Sequence, residues 1–241
     1  TVRLTYTPEA GDRSVYEVRV RSRSVVRIAG PPEQKQVDEI VLRAEHEVLS
    51  ADEDGSTVRV RLRPEGDSES DAREFVVRFD RAAQLAEVQE VEGLPASVLG
   101  DLGLAEIFPA SAGTPPDRRL EPGERWRIVD TGDPAPAQPL SGRGRLAALD
   151  LDGEHAVGIV ETVTDLPVVR TGTSAEGLFQ LDGNQQTDTR TAHDLEDGSV
   201  RWSEAKTIGN YALTLTPAEE GAPSVTGSLR VSVESRTRRL S

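Results

Sequence analysis

Glu47-Val48-Leu49-Ser50-Ala51-Asp52-Glu53-Asp54-Gly55-Ser56-Thr57-Val58-Arg59-Val60-Arg61-Leu62-Arg63 sets two runs of alternating apolar and charged residues on either side of an Asp-x-Asp-Gly step. Asp-Gly in such a setting is a strong hairpin signal, and a type I′ turn, with positive φ at both central residues, is predicted. The same grammar returns at Asp150-Leu151-Asp152-Gly153, between Arg145–Leu149 and Ala156–Val160. It returns once more at Asp194-Leu195-Glu196-Asp197-Gly198, ahead of Val200-Arg201-Trp202. These are the turns of an antiparallel β protein, and no reactive centre stands beside them.

The flanking segments agree. From Tyr16 to Ile28 the even positions carry Tyr16, Val18, Val20, Val26 and Ile28, while the odd ones carry Glu17, Arg19, Arg21, Arg23 and Arg27. A period of two over this stretch predicts one buried and one wet face on a strand of roughly 43 Å. Ile40–Val48, Val58–Arg63, Phe75–Phe79 and Leu85–Val88 continue the series. After a punctuated connector come Trp126–Ile128, Leu140–Leu149, Ala156–Thr164, Thr187–Ala192, Val200–Glu204, Asn210–Thr216 and Val225–Val233. Between the two series, Leu94, Val98, Leu99, Leu102 and Ile107 recur partly at helical spacing, which predicts a short helical segment near 94–107. Glu65–Arg73 is polar enough to read as a loop.

The two series resemble each other. Gly11-Asp12-Arg13 before Tyr16 echoes Gly123-Glu124-Arg125 before Trp126, and Asp54-Gly55 echoes Asp152-Gly153 about a hundred residues later. The expectation is a mainly β fold: long antiparallel strands in a curved sheet or half-barrel, forming a single domain over 1–241. Its pseudo-repeat halves would be 1–110 and 111–241.

Composition removes several functions. The chain has 241 residues and a net charge of −14 from 42 acidic and 28 basic residues, which argues against nucleic-acid binding, where a basic face must displace counterions. Only Lys35 and Lys206 are lysines, leaving 26 of the 28 as arginine. That excess reads as the codon bias of a high-GC genome or as Arg–carboxylate ladders on the surface. Cysteine is absent, so there is no disulfide framework and no thiolate site. Methionine is absent too and the first residue is Thr1, which predicts an exported protein whose leader has been removed. No apolar run approaches the ~20 residues of a membrane-spanning helix.

Catalytic constellations are missing. His46 lies on an apolar strand face, where a structural imidazole is expected; His155 follows a turn, and His193 adjoins Asp194. Gly172-Thr173-Ser174-Ala175-Glu176-Gly177 lacks the spacing of a nucleophile elbow, and Gly142-Arg143-Gly144 does not precede a helix as a phosphate cradle would. The chain is therefore read as non-enzymatic, with no cofactor. Asp150 and Asp152 give a calcium alternative, since Asp-x-Asp-Gly resembles part of an EF-hand loop, but the third alternating ligand and the distal Glu are missing. A β-turn wants the same residues for conformational reasons.

Leu4-Thr5-Tyr6-Thr7-Pro8-Glu9-Ala10-Gly11, the long run from Tyr16, and Pro115-Pro116 through Gly123-Glu124-Arg125-Trp126 resemble exported bacterial lipoproteins of half-barrel type. These are the lipoprotein-localisation and mycobacterial lipid-carrier kind, together with uncharacterised secreted lipoproteins. The resemblance covers the whole chain as architecture, and the lipidated Cys of such families is not in it. It implies an apolar cavity between a curved sheet and the 94–108 segment, lined by Leu94, Val98, Leu99, Leu102, Ile107, Phe108, Trp126 and Phe179. The same residues also read as ordinary core.

Two functions are carried forward. One is a non-catalytic protein of the extracellular space or cell envelope, binding an apolar, lipid-like ligand or a protein partner. The other is a structural or assembly subunit that forms a homo-oligomer through strand edges, for which the charge-poor Val225–Val233 run is the candidate edge.

Overall fold

The computed structural model describes residues 1–30, 32–65, 72–81, 83, 85–92, 115–129, 140–174, 177–218 and 223–241. Among them there are eleven strands and no helix. The first series comprises β1 (Arg13–Ile28), β2 (Gln34–Asp52), β3 (Gly55–Pro64), β4 (Arg73–Asp80) and β5 (Leu85–Glu92). The second comprises β6 (Arg125–Val129), β7 (Ser141–Asp152), β8 (His155–Ser174), β9 (Gly177–Asp194), β10 (Val200–Pro217) and β11 (Val225–Arg239). All pair antiparallel in one sheet of order β5-β4-β3-β2-β1-β11-β10-β9-β8-β7-β6. The helical segment expected near 94–107 and most of the Glu65–Arg73 loop lie outside the described residues.

The sheet curls. Tyr6 N donates to Arg81 O (2.7 Å) and Thr7 N to Asp197 O (2.8 Å). Arg81 follows β4 and Asp197 precedes β10, and five strand spacings separate those strands, about 24 Å on a flat sheet. Adjacent residues of one chain, with Cα atoms about 3.8 Å apart, reach both only if the two arms bend toward each other. Ala83, Val200 and Tyr6 pack together at the same end. Asp117 ties it further, accepting from Arg3 Nη2 at 2.7 Å and from Arg81 Nη1 at 3.2 Å. The N-terminal arm thus draws one end of the sheet together.

Register then sorts the side chains. Val18, Thr237, Ser203, Thr191, Val160 and Leu146 stand opposite one another in turn on β1, β11, β10, β9, β8 and β7. All six are buried. The main core adds Tyr16 and Val20, Leu42, Ala44 and Val48 on β2, Val58 and Val60 on β3, and Phe75, Val77 and Phe79 on β4. A second cluster joins Leu4 of the arm to Leu120, Leu146 and Val160.

The opposite face is charged. Arg236, Glu204, Arg190, Glu161 and Arg145 form one row over five strands, with Arg236–Glu204 at 3.5 Å and both Arg190 (3.7 Å) and Arg145 (2.6 Å) on Glu161. Glu47 likewise accepts from Arg13 at 2.8 Å and Arg59 at 3.1 Å. The arginine excess does form carboxylate ladders. Exposed pairs add little stability singly, but a slip of one residue would break a whole row and bury its charges, so they fix register.

Several strand expectations need correction. Val200–Glu204 and Asn210–Thr216 are one strand, β10. Ala156–Thr164 and Thr187–Ala192 are parts of β8 and β9, of 20 and 18 residues. The Val225–Val233 run is no edge: β11 lies mid-sheet, paired to β1 and β10. Among the described residues the edges are β5 and β6.

The turns also differ from type I′. Asp152 pairs with His155 around Gly153-Glu154, and only Gly153 has positive φ (+66°), which suits a II′ turn with Gly first. At Asp52–Gly55 the carboxylate sets the loop instead. Asp52 Oδ1 accepts from Asp54 N (2.9 Å) and Gly55 N (3.1 Å), an Asx turn, and Arg78 holds that carboxyl below its usual range. Gly55 has φ +152°, and a Cβ there would sit 2.0 Å from Phe79 O. Gly55→Ala is expected to cost roughly 1–3 kcal/mol, read as a lowered midpoint in urea denaturation. An unchanged midpoint would show that β4 gives way without cost.

Candidate functional site

The core face is zoned along its length. Nearest the N-terminal arm it is apolar and sealed. Beyond that, β8 to β11 present hydroxyls: Thr162, Thr164, Thr189, Thr191, Ser203, Thr207, Ser235 and Thr237 are all buried. Thr187 and Thr207 hydroxyls meet at 2.9 Å, as do Thr191 and Ser203, which satisfies groups that burial would otherwise penalise. Farther still the face turns apolar again, with Val231 and Leu229 on β11, Tyr211, Leu213 and Leu215 on β10, and Phe179 on β9. These are half-buried rather than sealed. Sequence reading missed the hydroxyl band, although Thr187-Asp188-Thr189-Arg190-Thr191 signals it: a hydroxyl and a charge alternate, so the less polar set faces inward.

Glycines stand where aromatics need room. Trp126 lies across Gly144, its opposite on β7, and a Cβ there would be 2.4 Å from the indole. Phe179 covers Gly172 of β8 in the same way, at 2.5 Å. Each ring shields bare backbone from water, which explains how glycines persist in strand interiors.

Of the residues proposed to line a cavity, Leu94, Val98, Leu99, Leu102, Ile107 and Phe108 lie outside the described residues. The other two are not brought together. Trp126 packs with Leu4, Leu120 and Leu146 near the N-terminal arm, whereas Phe179 lies on the distant apolar tract. Gly144 is in the cross-strand row of Thr189, and ten residues of β9 separate Thr189 from Phe179, about 33 Å. Trp126 is half-buried, packed against the second core cluster.

The calcium alternative gains no third ligand. Asp152 accepts from Arg201 Nε at 3.4 Å and Asp150 from Leu151 N at 2.9 Å. Among the described residues no group of three His, Asp or Glu side chains is placed to hold a metal ion.

The histidines are dispersed. His46 is buried between Tyr16 (ring centroids 4.8 Å apart) and Phe79 (5.9 Å), as expected of a structural imidazole. Burial pushes it down to about 3. His193 is buried beside the β9–β10 turn, its Nδ1 3.3 Å from Gly198 O, and burial pushes it down to about 4. His155 is exposed and pairs with Asp194 at 2.9 Å. No helix among the described residues is long and apolar enough to cross a membrane.

No known family model matches the chain, and no curated protein matches it.

Proposed function

We propose that this protein is a non-catalytic, exported component of the cell envelope that binds an apolar, lipid-like ligand. The observation that carries this reading is the unsealed apolar tract on the core face, from Val231 and Leu229 through Tyr211, Leu213 and Leu215 to Phe179. A β-sheet that needed only a core would end its apolar face where packing ends and turn polar beyond. Here the apolar face resumes past a hydroxyl band, an order that suits a ligand with a long apolar part and a polar end. An open curved sheet leaves room for such a ligand, as a half-barrel carrier requires.

Native mass spectrometry of protein from its natural source tests the reading, with mild and then harsh desolvation. Extra mass released as a small apolar molecule is the expected result. In a binding assay with an apolar fluorescent probe, Leu229→Glu is expected to weaken binding at least tenfold. Leu178→Glu, at a 58% exposed position on the opposite face, is expected to leave it unchanged. Bare protein together with no probe binding would overturn the proposal.

A second reading is self-assembly, favoured by β5 and β6 being the edges of the sheet among the described residues, since an edge strand can template further strands. A defined multimer without added mass would support it instead.

A further inference from the structure

Many cations of the charged face pair with carboxylates. Arg125, Arg127, Arg143 and Arg238 have no ion pair among the described residues, and neither do three arginines that share a groove. Arg21 and Arg23 of β1, Lys35 of β2, Lys206 of β10 and Arg230 of β11 line a hollow of about 740 Å³. Both lysines of the chain are among them. Glu234 is the one carboxylate in the lining, and it meets Lys206 only at 3.9 Å. Lys35 pairs with Glu33 at 2.9 Å. Arg21, Arg23 and Arg230 have no ion pair among the described residues, and all three are exposed.

Register places these charges close together. Arg23 stands opposite Val37 on β2 and Ser232 on β11, which makes Lys35 and Arg230 its diagonal neighbours. Arg21 is two residues along the same strand. Diagonal neighbours lie about 7–8 Å apart at the backbone, within reach of long side chains. An alternating row of Glu39, Arg21, Glu234, Lys206 and Asp188 crosses these strands. Arg23, however, stands between Val37 and Ser232, and Arg230 between Val25 and Asn210, so Arg23, Lys35 and Arg230 repel one another in a chain whose total charge is −14. The floor between them is apolar, formed by Val25, Val37 and Ile208, and Val37 is 51% exposed.

We infer that this groove is a binding site for a phosphoryl group, carried on a lipid headgroup or free in solution. The guanidinium forks of Arg21, Arg23 and Arg230 have no ion pair among the described residues, and a phosphate offers more charge and more acceptor oxygens than a carboxylate and is engaged bidentately by arginine. The apolar floor accommodates the carbon skeleton next to the phosphate. The site lies on the opposite face from the apolar tract and is independent of the reading given above.

Isothermal titration calorimetry at low salt tests it, with inorganic phosphate, a short-chain phosphatidylglycerol below its micellar concentration, and phosphatidylcholine of the same chain length. The triple variant R21Q/R23Q/R230Q is expected to weaken phosphate or phosphatidylglycerol binding at least tenfold. R143Q, which removes one exposed arginine from the same face outside the groove, is expected to stay within twofold. Relief of self-repulsion predicts that the triple variant melts no lower than the parent, which separates lost binding from lost folding. Binding by phosphate itself points to a free phosphorylated ligand, and binding by phosphatidylglycerol alone points to a headgroup. The inference is overturned by no binding of either, by equal loss in R143Q, or by lipid binding that survives the triple variant and disappears in Leu229→Glu.

Discussion

Phe75→Ala lowers the free energy of unfolding by about 3–5 kcal/mol, the range for deleting a large aromatic from a packed core. Phe75 is fully buried on β4, opposite Val60 of β3, which in turn stands opposite His46 of β2. Its ring therefore sits near the end of a row of core-face side chains. β4 is only eight residues long, and beyond it lies the edge strand β5. Phe75, Val77 and Phe79 are the buried apolar side chains by which the strand packs against the core. Removing the ring loses the transfer free energy of its carbons and leaves a hole that β3, fixed by its own pairing to β2, cannot close. Urea denaturation monitored by circular dichroism reads the effect. Leu178→Ala, at an exposed site, should move stability by less than about 0.5 kcal/mol. A cost below about 1 kcal/mol for Phe75→Ala would mean that β4 is not sealed against the core.

That core was legible because alternation states it directly. Tyr16, Val18 and Val20 are buried and Arg19, Arg21 and Arg23 are not, as a period of two requires. The matching entry turns were legible as well. Glu9 N donates to the Asp12 carboxylate and Asp12 N returns a bond to Glu9 O; Glu121 and Glu124 repeat both bonds. Gly11 N then meets Val48 O on β2, as Gly123 N meets Leu146 O on β7. The two turns are built alike, each at the entry to its series.

What escaped the sequence reading has physical causes. β8 runs through Pro167 and past Gly172, residues that ordinarily end a strand. Pro167 keeps its place opposite Asn184, and Gly172 is covered by Phe179. Such support comes from another strand and leaves no local mark. Strand order is non-local in the same way. Val225–Val233 carries few charges, which resembles an exposed edge, yet β11 is flanked on both sides and bridges the two series. The apolar tract stayed ambiguous for a further reason: alternation says which way a side chain faces, but whether anything covers it depends on how far the sheet curls. Trp126 and Phe179, both expected to line one cavity, lie far apart because two aromatics on one face of long strands can be tens of ångströms apart.

Acid should destabilise the protein well before its carboxylates protonate. His46 and His193 are neutral in the native state because burial holds them down to about 3 and about 4, against an ordinary value of 6.5. As the pH falls through 6.5 the unfolded chain takes up a proton at each imidazole, and the native chain does not until about pH 4. The unfolded state thus binds more protons across that window, so stability drops with falling pH, by up to ~1.4 kcal/mol per unit for each histidine. From pH 7 to pH 5 the pair accounts for about 3–4 kcal/mol. Asp52, Asp117, Glu47 and Glu124 are held low by hydrogen bonds and nearby arginines, and they act with the same sign but only nearer the carboxylate range. The interval from pH 6.5 to about 4.5 therefore belongs to the histidines. Urea unfolding at pH 7, 6 and 5 measures it. His46→Leu keeps an apolar partner for Tyr16 and Phe79, and His193→Asn keeps a donor for Gly198 O. Each should remove about half of the pH dependence, and together they should leave the curve nearly flat. A parent protein equally stable at pH 7 and pH 5 would show that water reaches both rings, and that the end of the sheet drawn together by the N-terminal arm opens in solution.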